Sequence, residues 1–283
     1  MLSYQHAFHA GNHADVIKHL CWMGVINHLK KKNKPFTLYD THSGAGLYQL
    51  DDELAAKNKE YESGVDKIAT ISASSPLLQA YLSLCNEFLS VKQYPGSPAI
   101  SAKLKREMDV LHLMELHPAE HEKLDDAMWK MGDDQSHVHH RDGFEGLIAL
   151  TPPVPNRGAV LIDPPYERAS EYQDVVKAAK KVLARWQQAQ IVVWYPLLSE
   201  RAGAKSGASQ HMCETLSALG KPCFTIEVTV MENTADAGMY GSGLCVINPP
   251  WQLDVIMSEA LDEITPLLGE QASYNLNWLS SDD

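Results

Sequence analysis

No stretch of the 283-residue chain holds the ~20 consecutive apolar residues a bilayer-spanning helix requires, which excludes a helical membrane protein. Cysteine is scarce and unpatterned. Cys21, Cys85, Cys213, Cys223 and Cys245 are odd in number, widely spaced and form no Cys-x-x-Cys pair, so neither a disulfide framework nor a zinc ribbon is expected and a reducing cytoplasm fits best. A secretory leader is not expected either, because Met1 to Gly11 is polar and His-rich rather than basic and then apolar. Internal repeats and low-complexity tracts are missing, which excludes a repeat architecture. Positive charge is in deficit, with 24 Lys and Arg against 36 Asp and Glu and a net charge of -12. That balance argues at first against a polyanionic partner, whose phosphates need clustered cations.

The deficit is unevenly spread. Between Met1 and Pro35, Lys18, Lys30, Lys31, Lys32 and Lys34 face a single acid, Asp15, whereas the chain from Gln252 to Asp283 has seven acids and no Lys or Arg. A basic head and an acidic tail permit contact with RNA on one face of an acidic protein, although a solvated lysine-rich turn would look the same. With 45% apolar residues the chain can bury one substantial core, and we expect one domain carrying an insertion.

Short β-branched runs alternate with helical patterns, as in a parallel α/β sheet. Strands are expected at about Phe36–Thr41, Val110–Glu115, His137–Arg141, Ala159–Asp163, Gln190–Tyr195, Phe224–Met231 and Leu244–Asn248, the last two as an antiparallel pair closing one edge. Nearly seventy residues separate the first strand from the second, where about thirty suffice for a βαβ unit. Residues 51–91, with helix-forming stretches Glu53–Tyr61 and Leu77–Leu89, are expected to form a small helical insertion subdomain.

Three expected strands end in acids, where open α/β sheets bind ligands. Asp40 leads into Thr41-His42-Ser43-Gly44-Ala45-Gly46-Leu47-Tyr48, a turn whose glycines allow a ligand close to the backbone. It lacks the third glycine of a dinucleotide fingerprint and the Lys-Ser/Thr of a phosphate loop, so a cofactor without phosphates fits. Glu115 is placed to accept from ribose hydroxyls, and Asp142, followed by Gly143, from an adenine amino group. Either carboxylate could instead cap a helix.

Ile162-Asp163-Pro164-Pro165-Tyr166 closes a strongly apolar strand. Its two prolines fix φ twice and withdraw two donors, which leaves a stiff, acceptor-rich turn suited to an amino group. If the Asp163 carboxylate and the Pro164 carbonyl each accept one N–H of an adenine N6, the nitrogen can aim its lone pair at a sulfonium methyl. Asp163 would then take the proton or only orient the nitrogen, and Tyr166 would stack on the extruded base. Asn248-Pro249-Pro250-Trp251 has the same grammar and competes for this role, but follows a strand expected to lie away from the first. The head, Tyr4 to His19, interleaves aromatics and imidazoles with Lys18. No further ligand set completes a metal site there, and stacking on a base or cofactor with Lys18 holding phosphate is the better fit.

In order from Met1 to Trp251, the head, the Asp40–Tyr48 turn, Tyr94-Pro95-Gly96-Ser97-Pro98, Glu115–Pro118, Asp142-Gly143 and Asp163–Tyr166 resemble the RlmJ family of bacterial adenine-N6 methyltransferases of 23S rRNA. The resemblance implies a Rossmann-like class I methyltransferase with a seven-stranded, mostly parallel sheet, using S-adenosylmethionine without metal, as a cytoplasmic monomer on naked or partly assembled large-subunit rRNA. It further implies that His19, His42, Ser97, Glu115, Asp142 and Gly143 contact the cofactor, that Asp163 is the catalytic acceptor, and that Tyr4 and Lys18 act on the RNA side. A DNA adenine methyltransferase and a catalytically silent RNA-binding protein of the same fold are the rivals.

Overall fold

The computed structural model describes residues 8–51 and 59–281. Tyr4 and most of the expected helix Glu53–Tyr61 lie outside these residues. Helix α1 (His13–Lys30) starts where the Asn12 side chain accepts from the Asp15 N–H at 3.1 Å, and is buried on nearly every face, as befits a helix at the centre of one layer. Its C-terminal end is held by guanidiniums: Arg157 donates to the carbonyls of Leu29 and Lys34, and Arg106 to those of Lys32 and Lys34. These bonds satisfy carbonyls that the helix end and following turn leave open, while residues 31–35 stay exposed.

Strands β1 (Thr37–Asp40), β4 (Val110–Glu115), β5 (Ser136–His140), β6 (Gly158–Ile162) and β7 (Gln190–Leu198) are mutually parallel, and β1 and β6 are buried throughout. That is why β6, Gly158–Ile162, reads as an unbroken apolar run rather than an alternating one. The sheet is completed by β8 (Cys223–Thr229), β9 (Met239–Ile247) and β10 (Ser273–Ser280) in the order β10-β8-β9-β7-β6-β1-β4-β5. It therefore has eight strands where the sequence suggested seven. The eighth comes from the acidic tail and forms the edge, antiparallel to β8. As an edge strand half open to solvent, Ser273–Ser280 lacks the apolar density that marks the central strands.

Helices flank both faces. Helices α1, α3 (Pro76–Leu89), α4 (Ser97–Leu104), α5 (Pro118–Met131) and α9 (Leu253–Leu268) bury one apolar cluster, and α6 (Gly143–Leu150), α7 (Ser170–Arg185) and α8 (Ala208–Ser217) bury another. Between β1 and β4 lie the ribbon β2 (Leu47–Gln49) with β3 (Gln93–Pro95), a 3-10 turn at Glu60–Ser63, and α2 (Val65–Ile68) with α3. Side chains of this stretch, including Val65, Leu78 and Tyr81, join the same core as α1.

The topology separates the two Pro-Pro turns. Strand β6 neighbours β1, so Asp163 emerges at the carboxyl edge beside Asp40. Strand β9 runs antiparallel to β7, so Asn248 emerges at the opposite edge, where its amide donates to the carbonyls of Gln187 and Ala189, both at 2.9 Å.

Candidate active site

At the carboxyl edge of the sheet a cavity with about 990 Å³ of empty space, partly open to solvent, collects most of the expected site residues: Lys18, His19, His42, Ser97, Glu115, Asp142, Gly143 and Asp163. Glu115, half-buried at the end of β4, accepts from the Gly44 N–H at 2.8 Å with one carboxylate oxygen and from the His117 N–H at 2.7 Å with the other. Each oxygen keeps a lone pair, so the group is fixed in place yet able to accept from a ligand. Asp142 is a helix cap that also faces the cavity. One oxygen caps α6 by accepting from Glu145 N–H at 3.0 Å, and the residue also lines the cavity. Gly143 is required for packing, because a Cβ there would overlap the carbonyl oxygen of Thr41.

Ser97 and His42 are tied to the turn after β1. The Ser97 hydroxyl donates to Asp40 at 2.6 Å, and the His42 N–H to the same carboxylate at 3.3 Å. Asp40 is fully buried, and burial raises its pKa to about 6, helped by the nearby Asp163 charge and opposed by the Ser97 bond and Lys18. Burial also lowers the His42 imidazole to about 4, so it is neutral at pH 7, lying edge-on to Phe144 at 5.1 Å. His19 is buried, shares a 2.9 Å hydrogen bond with the Tyr94 hydroxyl, and lies 3.9 Å from Asp15.

The Asp163 carboxylate receives the Lys18 ammonium at 2.6 Å, and the same ammonium reaches Asp15 at 2.8 Å. Lys18 is only 3% exposed. Burial favours its neutral form, but the two carboxylates outweigh that and hold its pKa above the ordinary lysine value. Lys18, expected on the RNA side, thus has its ammonium paired with Asp15 and Asp163 where it lines the cavity. Tyr166, expected to stack on the base, closes the same turn. Its backbone adopts φ of 51°, and its ring is 2% exposed, packed on Tyr172 at 4.4 Å between centroids, with the hydroxyl donating to the Trp194 carbonyl at 2.8 Å. The ring braces the turn, and the residue also lines a second cavity beyond Asp163. Pro164 is buried between Asp163 and the half-exposed Pro165.

Behind Asp163 opens a second, larger cavity with about 1460 Å³ of empty space, also partly open to solvent. His9, His13, Glu60, Trp194 and Lys205 line it, and Lys18, Asp163 and Pro165 line both cavities. Glu60 ties the 3-10 turn to the head, accepting from Asn12 at 3.0 Å and pairing with His9 at 2.9 Å. His13 Nε2 is buried with no hydrogen-bond partner among the described residues, and burial lowers this imidazole to about 4. Asp15, Glu60 and Trp194 were not singled out from sequence. Only Asp15 left a trace, three residues before Lys18 and so on the same face of α1. Among the described residues no group of three His, Cys, Asp or Glu side chains could hold a metal ion.

Two chambers meeting at one carboxylate, on a doubly wound sheet with acids at its strand ends, define a group-transfer enzyme of the class I methyltransferase architecture. Known proteins agree with that class. A family model described as Ribosomal RNA large subunit methyltransferase D, RlmJ, matches residues 33–280. The ribosomal RNA large subunit methyltransferase J of Escherichia coli K12 is 40% identical over 265 residues, 92% of each chain, and that of Haemophilus influenzae is 35% identical over 99% of each. A crystal structure of a Legionella pneumophila protein superposes with a TM-score of 0.85 at 30% identity, covering 95% of this chain and 98% of that one. The chain belongs to the RlmJ family and is an rRNA methyltransferase of that family.

Proposed function

We propose that the protein transfers the methyl group of S-adenosylmethionine to the exocyclic N6 of a specific adenine in 23S rRNA, on naked or partly assembled large-subunit rRNA in the cytoplasm. The observation that carries this reading is the place of Asp163, on the shared wall of two cavities. The first suits the nucleoside of the cofactor. Glu115 and Asp142 offer acceptors, Gly44 and Gly143 let the ligand approach the backbone, neutral His42 adds a ring, and no phosphate loop is present. When bound, the cofactor supplies an electrophilic sulfonium methyl.

The second cavity would take the adenine turned out of its RNA stack. There the Asp163 carboxylate and the Pro164 carbonyl accept the two amino hydrogens and set the nitrogen lone pair in line with the methyl. As the nitrogen is methylated, the proton it gives up would pass to Asp163 or to water. Lys18, 2.6 Å from Asp163, holds the carboxylate in a fixed position as an acceptor. Orientation is therefore its main contribution. Tyr4, outside the described residues, remains the candidate for stacking on the base.

Tritiated-methyl transfer to deproteinised rRNA, assembled subunits and adenine-containing DNA, followed by nucleoside analysis, tests the reading. Label is expected on N6 of one rRNA adenine and to be lost in Asp163→Ala, while cofactor binding survives. Label on DNA alone would make the protein a DNA methyltransferase, and none anywhere an RNA-binding protein without activity.

A further inference from the structure

The second Pro-Pro turn and the lysine-rich turn after α1 take no part in the site above, yet they meet. Because β9 runs against the parallel strands, Asn248–Trp251 lies at the amino edge of the sheet, the same edge from which β1 departs after the exposed residues 31–35. A groove there is lined by His28, Lys31, Leu77, Pro250 and Trp251, with Glu259 as its acid. Trp251 is 77% exposed, although the turn that carries it is anchored by both Asn248 amide bonds. So large an aromatic surface on a fixed turn stands ready to stack.

Beside it, Lys30, Lys31, Lys32 and Lys34 pair with no carboxylate among the described residues. In a chain of net charge -12 such a set is an uncompensated positive island. The guanidiniums of Arg106 and Arg157 occupy the carbonyls of this turn, which fixes its backbone, and Lys31, Lys32 and Lys34 are exposed on it. Local positive charge is also felt by His28, whose pKa is lowered first by burial and then by Lys31, Lys32 and Arg157.

We propose that this rear face is a second RNA-docking surface, on which Trp251 stacks an unpaired base and Lys30, Lys31, Lys32 and Lys34 neutralise the flanking phosphates. Aromatic stacking beside clustered cations is how single-stranded RNA is held without sequence readout. The inference rests on the reading of the substrate as RNA. The occupant is a segment of the same rRNA remote from the reacting adenine, because the sheet separates the two faces by at least the ~17 Å of a five-residue strand. An extended rRNA domain wrapped along one side of the protein reaches both faces, whereas a short stem held at the catalytic mouth engages only one.

The test uses the full chain with Trp251→Ala and with the triple variant Lys31→Ala, Lys32→Ala, Lys34→Ala, all exposed positions. Binding to a long large-subunit rRNA transcript and to a short stem-loop carrying the target adenine is measured over a series of salt concentrations, alongside turnover. Trp251→Ala is expected to weaken binding of the long RNA on the order of 10-fold. The triple variant should reduce the slope of log K against log salt by about 2. Stem-loop binding and kcat should stay at the parent values. Unchanged binding of the long RNA, or an equal loss on both RNAs, overturns the proposal, as does a change in oligomeric state without a change in RNA affinity. Because binding is read separately from turnover, a parent protein that methylates no RNA sinks the functional reading while these arms still decide the docking surface.

Discussion

Replacing Asp40 by Asn should stabilise the protein at neutral pH, because this buried carboxylate is ionised at a cost. Its pKa rises from 3.8 to about 6 on folding, chiefly through burial. Below pH ~4 the group is neutral in both states and favours neither. As pH rises, the unfolded chain releases the proton first, so stability falls between roughly pH 4 and 6 and then levels off. At 1.36 kcal/mol for each pK unit the total loss is about 3 kcal/mol, and full burial leaves little solvent to screen it. Asn is isosteric and can accept from the His42 N–H while its amide donates to the Ser97 oxygen, so about 1 kcal/mol is allowed for poorer hydrogen bonding. Asp40→Asn is therefore expected to exceed the parent by about 2 kcal/mol at pH 7.5 and to lose that advantage near pH 4.5. Urea denaturation of both proteins at the two pH values measures this. A difference independent of pH, or one favouring the parent at pH 7.5, would refute the assignment of a proton-hungry Asp40.

Lys18→Met removes the cation shared by Asp15 and Asp163 and should cost about 3–5 kcal/mol, less at pH 5 than at pH 8 because the stranded carboxylates can then take up protons. Chemical denaturation at both pH values checks it. Gly143→Ala drives a methyl into the Thr41 backbone, so cofactor affinity should fall at least 10-fold, on the order of 1.4 kcal/mol, in a calorimetric titration. Tyr166→Phe should keep kcat within a few-fold and lower stability by about 1 kcal/mol, since the hydroxyl only braces the turn on Trp194. A loss of activity as complete as that of Asp163→Ala would give the Tyr166 hydroxyl a part in the reaction itself.

Much of the first cavity's lining was legible in the sequence because its parts are local. A strand end, an acid and a glycine follow one another at Asp40–Gly44 and at Asp142-Gly143, and each local signal marks a place where a parallel sheet presents ligand groups. The acceptor side was not legible. Lys18 and Asp163 are 145 positions apart, and nothing in either neighbourhood shows that one ammonium serves two carboxylates. The facing of Tyr166 was hidden for another reason: a left-handed backbone at that residue carries the ring into the core, and such a torsion leaves no mark on a tyrosine. The run Ser273–Ser280 escaped as a strand because half its side chains face water. The family resemblance supplied the roles, and the structure supplied the partners.

The Glu60 clamp gives the insertion a mechanical meaning. Among the described residues, Glu60 and Ser63 wall the cavity proposed for the base, while the cavity proposed for the methyl donor draws nothing from residues 59–94. Loosening that stretch, by a nick or by cutting the tie to His9 and Asn12, would leave a protein that still captures its methyl donor but has no firm seat for the base. Donor capture and methyl delivery are thus separable by damage to a single short segment.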